Sequence, residues 1–289
     1  MLYTRGAGCA ELAELLSPDA TRVAGDLADA CATARADLLV TRKLPGGFDL
    51  VSLAVPFDFK ADGIRAVVAA VAGGPHSELN ASLGTALGKR LNVETLIATA
   101  YFSDEGRIEA EETVERILVQ HPDLPRLAVG AADPAGFIRE LPDRSLLILG
   151  EPGGSFLSRS FFGPGARLKA KAPVGVVMVR YTPQRVFHVM GDPVFVSPLH
   201  HAGDTLKLHR HSLMAVVENG RLVGVVRRGA LESAPQESTV SDLMEEPVAV
   251  RWDASLEDAG KQLVGIDGTP IPVTDPAGRL VGALQRSEL

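Results

Sequence analysis

The spacing of apolar residues between about 64 and 180 predicts strands that alternate with helices. Short apolar runs that suit buried strands occur at residues 65–72, 93–102, 127–131, 146–149 and 174–179. Between them, helical spacing or a helix-opening Asp-Pro pair predicts helices at residues 77–91, 107–120, from 133, and 165–171. This alternation predicts an α/β domain over residues 63–182, with a parallel sheet covered by helices.

The first 62 residues carry weaker patterns. Residues 11–16 and 23–35 have helical character, and short strands are predicted at 38–41 and 49–56 on either side of a Pro-Gly-Gly turn. No motif is found here. The type of this segment therefore stays open, including the option that it packs on the sheet.

An internal repeat covers residues 183–289. Residues 220–224 read Gly-Arg-Leu-Val-Gly and recur identically at 278–282, and residues 190–196 match 244–250 at Met, Pro and Val. Each copy ends in a predicted hairpin, 213–217 with 222–226 and 270–273 with 280–284. In the second copy Ser255 is the predicted cap of a helix. Two copies predict a pseudo-symmetric pair that buries a shared face.

Composition and charge narrow the function classes. The chain has 289 residues, of which 46% are hydrophobic and 22% charged, with a net charge of −7. These values fit a soluble globular protein of about two domains and argue against a nucleic-acid binder, which would need a basic face. No apolar run is long enough for a bilayer, and the two cysteines, Cys9 and Cys31, suit a reducing compartment. We therefore expect a cytoplasmic protein that binds no membrane, and no motif of an enzyme is found.

The loop after residue 149 carries a glycine motif. Gly150, Gly153 and Gly163 follow the spacing G-x2-G-x9-G, and Pro173 precedes the last strand. With these residues the segment 64–181 resembles the universal stress protein family. The resemblance implies a Rossmann-like parallel sheet and a loop whose backbone N–H groups hold the phosphates of ATP. The residues implied for this site are Gly150, Gly153, Gly163, Gly165 and Ser155.

Two departures from that family pattern weaken this site. Pro164 stands where the family has a Ser or Thr that donates to phosphate, and proline also lacks a backbone donor. The first strand ends in Ala72-Gly73-Gly74, where the family usually has Asp-Gly-Ser. A domain that binds no nucleotide is the alternative interpretation.

The repeat resembles a pair of CBS motifs, a Bateman module, with copies at about residues 186–232 and 238–289. The resemblance implies one adenine nucleotide, ATP or AMP, near copy two, and a homodimer. In that family the backbone before the second strand meets adenine, and an acidic residue after the third strand accepts from ribose. Ala215 and Ala230 replace the expected proline and ribose acceptor in copy one. The residues implied for ligand binding are Gly268, Thr269, Ile271, Pro272, Gln285 and Glu288 in copy two, and Arg227 in copy one.

Three functional hypotheses remain open. The first is a regulatory sensor of an adenine nucleotide that uses the CBS pair, the glycine loop or both. The second is a scaffold whose nucleotide sites have decayed. The third is a metal- or pH-responsive protein, because five histidines fall within 24 residues and His209-x-His211 on a strand would point two rings to one face. Solvated surface histidines, with no metal, are the alternative interpretation of that cluster, whose members are His188, His200, His201, His209 and His211.

Overall fold

The computed structural model describes residues 1–6, 8–43, 46–71, 75–101, 104–130, 134–151 and 174–289. It contains two compact units, Met1–Thr182 and Pro183–Leu289. Among the described residues, no helix combines the length and hydropathy that crossing a bilayer requires.

The first unit is built on a nine-stranded sheet with the order β2-β1-β3-β4-β9-β8-β5-β6-β7. Its strands are β1 Leu2–Tyr3, β2 Thr21–Arg22, β3 Leu38–Val40, β4 Ser52–Phe57, β5 Ala66–Ala70, β6 Glu94–Tyr101, β7 Arg126–Gly130, β8 Ser145–Gly150 and β9 Gly175–Arg180. The five strands from β5 to β9 are mutually parallel, and their order reverses between β5 and β8. The predicted parallel arrangement of this part is therefore confirmed.

Residues 1–62 extend this sheet. They supply β1 to β4, and β4 pairs antiparallel with β9, so the sheet continues beyond its five parallel strands. The helix predicted at 23–35 is shorter in the structure. It begins after Asp26, whose carboxylate accepts hydrogen bonds from the N–H groups of Ala28 and Asp29. Asp26 caps the helix there, and the residues before it form β2 and a loop.

Helices cover both faces of the sheet. They are α1 Cys9–Leu16, α2 Leu27–Thr33, α3 Pro75–Leu91, α4 Asp104–Gln120 and α5 Pro134–Arg139. Val67 and Val68 are neighbours on β5, and they belong to different apolar clusters. Because successive side chains of a strand point to opposite faces, both faces of the sheet are buried. The predicted helix at 165–171 lies outside the described residues.

The second unit contains two small sheets of the same design. Each has one strand parallel to a central strand, which pairs antiparallel with a third. The strands are β10 Phe195–Val196, β11 Leu213–Glu218 and β12 Arg221–Arg227, then β13 Val250–Arg251, β14 Ile271–Thr274 and β15 Leu280–Leu284. The helices are α6 Val186–Val189, α7 Ala202–Leu208, α8 Arg228–Ser233, α9 Val240–Leu243 and α10 Leu256–Gln262, with a 3₁₀ turn at Arg286–Glu288.

The predicted hairpins of both copies are confirmed. In copy one, Asn219 and Gly220 have φ angles of 51° and 78°, the left-handed conformation that a tight two-residue hairpin turn needs. In copy two, the Asp275 carboxylate accepts from the N–H groups of Ala277 and Arg279 and closes the longer turn.

The two copies exchange their leading segments, which we define as residues 190–194 and 244–248. Gly191 of the first segment pairs with Ala283 of β15, and Glu245 of the second pairs with Val225 of β12. Arg221 pairs with Arg279, its own counterpart in the repeat. This exchange relates the copies by a pseudo-twofold axis.

Candidate functional site

The start of β14 holds the residues predicted to meet adenine. Gly268 has a φ of 103°, which glycine tolerates and other residues rarely adopt. The N–H of Thr269 donates to Oγ of Ser212 at 2.9 Å, and its carbonyl accepts from the same hydroxyl at 3.1 Å. Ile271 and Pro272 are buried behind this segment. The polar backbone groups of Thr269 are therefore bonded to copy one, and apolar side chains lie beside them.

The end of β15 holds the predicted ribose and phosphate contacts of copy two. The carboxylate of Glu288 accepts from the N–H of Gln285 at 2.8 Å, which fixes its position across the 3₁₀ turn. Both side chains are exposed. The fold therefore presents one carboxylate and one amide together at the carboxyl end of this strand.

Arg227 lies at the corresponding end of β12 and is already bonded to an anion. Its Nε lies 3.1 and 3.0 Å from the two carboxylate oxygens of Glu245, and its Nη1 donates to the carbonyl of Asp267 at 2.7 Å. The side chains of Arg227 and Glu245 are 35% and 49% exposed. Ala230, on α8, provides no acceptor for ribose. Sequence reasoning identified Arg227 but missed Glu245, which is 18 residues away.

The glycine motif begins where β8 meets α3. A Cβ on Gly150 would lie 2.7 Å from Cβ of His76, so this glycine allows the helix to approach the strand end. The remaining predicted residues of this loop, Gly153, Ser155, Gly163 and Gly165, lie outside the described residues, as do Ala72, Gly73, Gly74 and Pro164. The strand order reverses between β5 and β8, and ligands of open α/β sheets bind at the carboxyl ends of strands at such a point.

Four polar residues at this sheet edge were missed by the sequence analysis. His76 accepts from the N–H of Tyr181 through Nδ1 at 2.9 Å. Burial lowers the pKa of His76; the positive charge of Arg180 lowers it further, whereas Glu151 opposes the shift. Arg180 holds Glu151 in a two-point ion pair, with Nη2 2.7 Å from Oε1.

The fourth residue, Asn80, lies on α3. Its Nδ2 donates to the carbonyl of Ala70 at 2.7 Å, at the carboxyl end of β5. The residue is 2% exposed, and within the described ranges its Oδ1 has no hydrogen-bond partner. No local sequence signal marks these residues, because three separate elements bring them together.

His209 and His211 do not lie on a strand, which was the condition for both rings to point to one face. His209 is the C-cap of α7, and His211 lies in the loop before β11, because the helix ends at Leu208 and the strand begins at Leu213. Burial lowers the pKa of His209, and the nearby His211 and His200 lower it further. The described part of the chain contains no group of three His, Cys, Asp or Glu residues arranged to hold a metal ion.

Two further histidines of the cluster, His201 and His188, have structural contacts. Nδ1 of His201 lies 2.9 Å from the carbonyl of Glu237, next to the pairing of His201 with Thr239. His188 accepts from the N–H of Arg185 and stacks on Phe187, with ring centroids 4.0 Å apart.

Comparison with known proteins gives partial similarities. No family model matches the chain. A curated zinc metalloprotease of Methanocaldococcus jannaschii is 29% identical over 101 residues. That match covers 34% of this chain and spans only 28% of the relative's length.

Several similar solved structures are CBS-pair proteins. The CBS-pair protein CBSX2 of Arabidopsis thaliana has 27% identity and a TM-score of 0.33, covering 37% of this chain and 91% of that one. The same protein in complex with AMP has 27% identity and a TM-score of 0.31, covering 36% and 90%. A CBS domain pair in complex with 5′-methylthioadenosine and S-adenosyl-L-methionine has 18% identity and a TM-score of 0.31, covering 37% and 92%.

Proposed function

We propose that residues 183–289 form a CBS pair that binds one adenine nucleotide, AMP or ATP, beside copy two. The chain would then be a regulatory protein of the cytoplasm, and not an enzyme. The observation that carries this proposal is the exchange of leading segments about the pseudo-twofold axis. It places the segment of one copy beside the third strand of the other.

The chemistry of copy two suits a nucleoside phosphate. The resemblance to CBS pairs places the base against the backbone of Gly268 and Thr269, with Ile271 and Pro272 buried behind that segment. The Glu288 carboxylate, held by the N–H of Gln285, can accept hydrogen bonds from ribose hydroxyls. The Gln285 side-chain amide can donate to a phosphate oxygen.

Binding of the nucleotide would by itself change the arrangement of the two copies. Gly191 of copy one lies against Ala283 of copy two, so a ligand at the end of β15 would contact both copies at once. A ligand that binds one arrangement of the copies better than another shifts the population toward it. In this mechanism no covalent step is needed.

As a second candidate, we propose a separate ATP site of the universal-stress-protein type over residues 63–182. Its glycine motif would hold the triphosphate, so we do not expect AMP to fill it. The supporting observation is the order of the five parallel strands of the first unit, which reverses between β5 and β8, where the glycine motif begins. The unpartnered Oδ1 of Asn80, at the same edge among the described residues, offers an acceptor that the missing Asp of the family motif would have supplied.

Thermal unfolding with ligands tests the proposal. The full chain is heated alone and with AMP, ADP, ATP or S-adenosylmethionine at ~1 mM. A ligand at 100 times its Kd stabilises a protein by about 2.7 kcal/mol, a shift of several degrees in Tm. Glu288→Ala should abolish the shift with AMP, because the ribose acceptor is lost. Glu257→Ala is the matched control, since that carboxylate is exposed and its ion pair among the described residues is with Lys261 on α10.

The outcomes separate the hypotheses. A shift that survives Glu288→Ala would assign the nucleotide to a site other than copy two. No shift with any nucleotide would contradict the sensor hypothesis and favour a scaffold. Stabilisation by Zn²⁺ or Ni²⁺ that His209→Ala removes would favour the metal-responsive alternative.

A further inference from the structure

The pseudo-twofold axis gives every residue near copy two a counterpart near copy one. Arg227 is the last residue of β12 and Gln285 comes directly after β15, and each is the N-cap of the short helical element that follows. Glu245 and Gly191 are the residues of the leading segments that pair with the third strand of the other copy. The two positions that the axis relates therefore have the same backbone pairing but different charges.

In copy one these positions form an ion pair with a fixed geometry. The backbone of Glu245 is held in both directions by Val225, with N–H to carbonyl distances of 2.8 and 3.1 Å. Its carboxylate then meets Nε of Arg227 at 3.0 Å, while Asp267 accepts from Nη1. The backbone pairing therefore fixes the position of Glu245, and the bond to Asp267 fixes the guanidinium of Arg227.

In copy two the same positions lack both charges. Gly191 has no side chain, and Gln285 is neutral. A Cβ built on Gly191 would meet only the carbonyl of Ala283, at 3.8 Å, an ordinary contact. The space beside residue 191 would therefore accommodate a side chain that carries a carboxylate.

We propose that the Glu245 carboxylate occupies the phosphate position of copy one, so that the pair binds a single nucleotide, at copy two. This inference rests on the proposed function and adds the physical reason why copy one binds no nucleotide. Carboxylate and phosphate use the same donors of an arginine, so Glu245 and a phosphate compete for Arg227. The carboxylate is tethered, so it competes at a high effective concentration, and its charge also repels an incoming phosphate.

Transferring the ion pair to copy two tests the proposal. Isothermal titration of the full chain with AMP should give one site in the wild type and none in Gly191→Glu/Gln285→Arg. The open space beside Gly191 makes this variant compatible with the fold, and its Tm without ligand checks that. Gly191→Gln/Gln285→Arg supplies the arginine without the carboxylate and should retain one site at a changed Kd. Glu246→Gly, which removes the neighbouring exposed carboxylate, should leave the stoichiometry at one.

The reverse exchange gives copy one the residues of copy two. Arg227→Gln/Ala230→Glu/Glu245→Gly should bind two AMP per chain. Two sites in the wild type, or one site with wild-type Kd in Gly191→Glu/Gln285→Arg, would overturn the inference. The second of these results would leave the proposed function standing, whereas no binding by the wild type would contradict the proposed function itself. If the triple variant does not fold, the transfer into copy two still decides.

Discussion

At the scale of single residues, two glycines of the repeat are needed because the leading segment of the other copy lies close to them. A Cβ on Gly224 would lie 2.8 Å from the carbonyl oxygen of Glu245, and one on Gly282 would lie 2.7 Å from Sδ of Met190. In both copies the leading segment of the other copy passes over the glycine. The identity of these residues in the two copies thus reflects the exchange, which the sequence alone did not reveal.

Gly224→Ala is predicted to destabilise the second unit. The added methyl group would collide with backbone that is fixed by the pairing of Glu245 and Val225, and such overpacking typically costs about 1–3 kcal/mol. Urea unfolding followed by circular dichroism measures the change. Gly260→Ala is the matched control, because that glycine is within α10 with no atom within 4 Å of the new methyl group. Gly260→Ala should raise the free energy of unfolding by about 0.5–1 kcal/mol. Equal changes in the free energy of unfolding for the two variants would contradict the prediction.

At the scale of elements, local signals decided how well each prediction matched the structure. The helix predicted after Ser255 is α10, because a cap and an apolar face agree in the sequence. The Ser255 hydroxyl accepts from the N–H of Asp258 at 3.0 Å and donates to the Asp258 carboxylate at 2.7 Å. The helix predicted at 23–35 was too long, because its alanines favour a helix on both sides of the Asp26 cap.

Ser255→Ala is predicted to cost about 1 kcal/mol, the usual loss for an N-cap. The substitution leaves the N–H of Asp258 without its acceptor at the start of α10. The free energy of unfolding, measured with urea, tests it. Ser233→Ala provides the comparison, because that exposed hydroxyl donates back to the carbonyl of Gly229 within α8 and its loss should stay within about 0.5 kcal/mol. A loss at Ser233 as large as that at Ser255 would refute the capping role.

At the scale of the whole molecule, the second unit has a core that neither copy can form by itself. One apolar cluster contains Val186 and Val225 from copy one together with Ile271 and Leu284 from copy two. Each third strand also pairs with the leading segment of the other copy. The unit is therefore the smallest part of this repeat that buries its own apolar surface.

A fragment of residues 183–289 is predicted to fold cooperatively, and a fragment of residues 183–236 is predicted not to fold. The longer fragment keeps the shared cluster, whereas the shorter one exposes Val186 and Val225. Circular dichroism and urea titration of both fragments provide the measurement. A cooperative transition of the shorter fragment, at the midpoint of the longer one, would show that a single copy is a sufficient folding unit.

Patterns in the sequence were enough to predict the parallel strands β5 to β9, the repeat and both hairpins. These features rest on local signals, namely apolar periodicity, turn residues such as Asn219-Gly220, and helix caps. Glu288 and Gln285 were selected by the resemblance to CBS motifs, and their part in ligand binding stays a prediction.

The contacts that those residues make depend on the fold. In the fold, Glu245 forms an ion pair with Arg227, and His76 lies near Glu151 and Arg180. Strands from residues 1–62 also belong to the sheet. Such contacts join residues that are far apart in the chain, and no local pattern encodes them, because they depend on which strands pair. The charge difference between Glu245 with Arg227 and their counterparts Gly191 with Gln285 follows from that pairing.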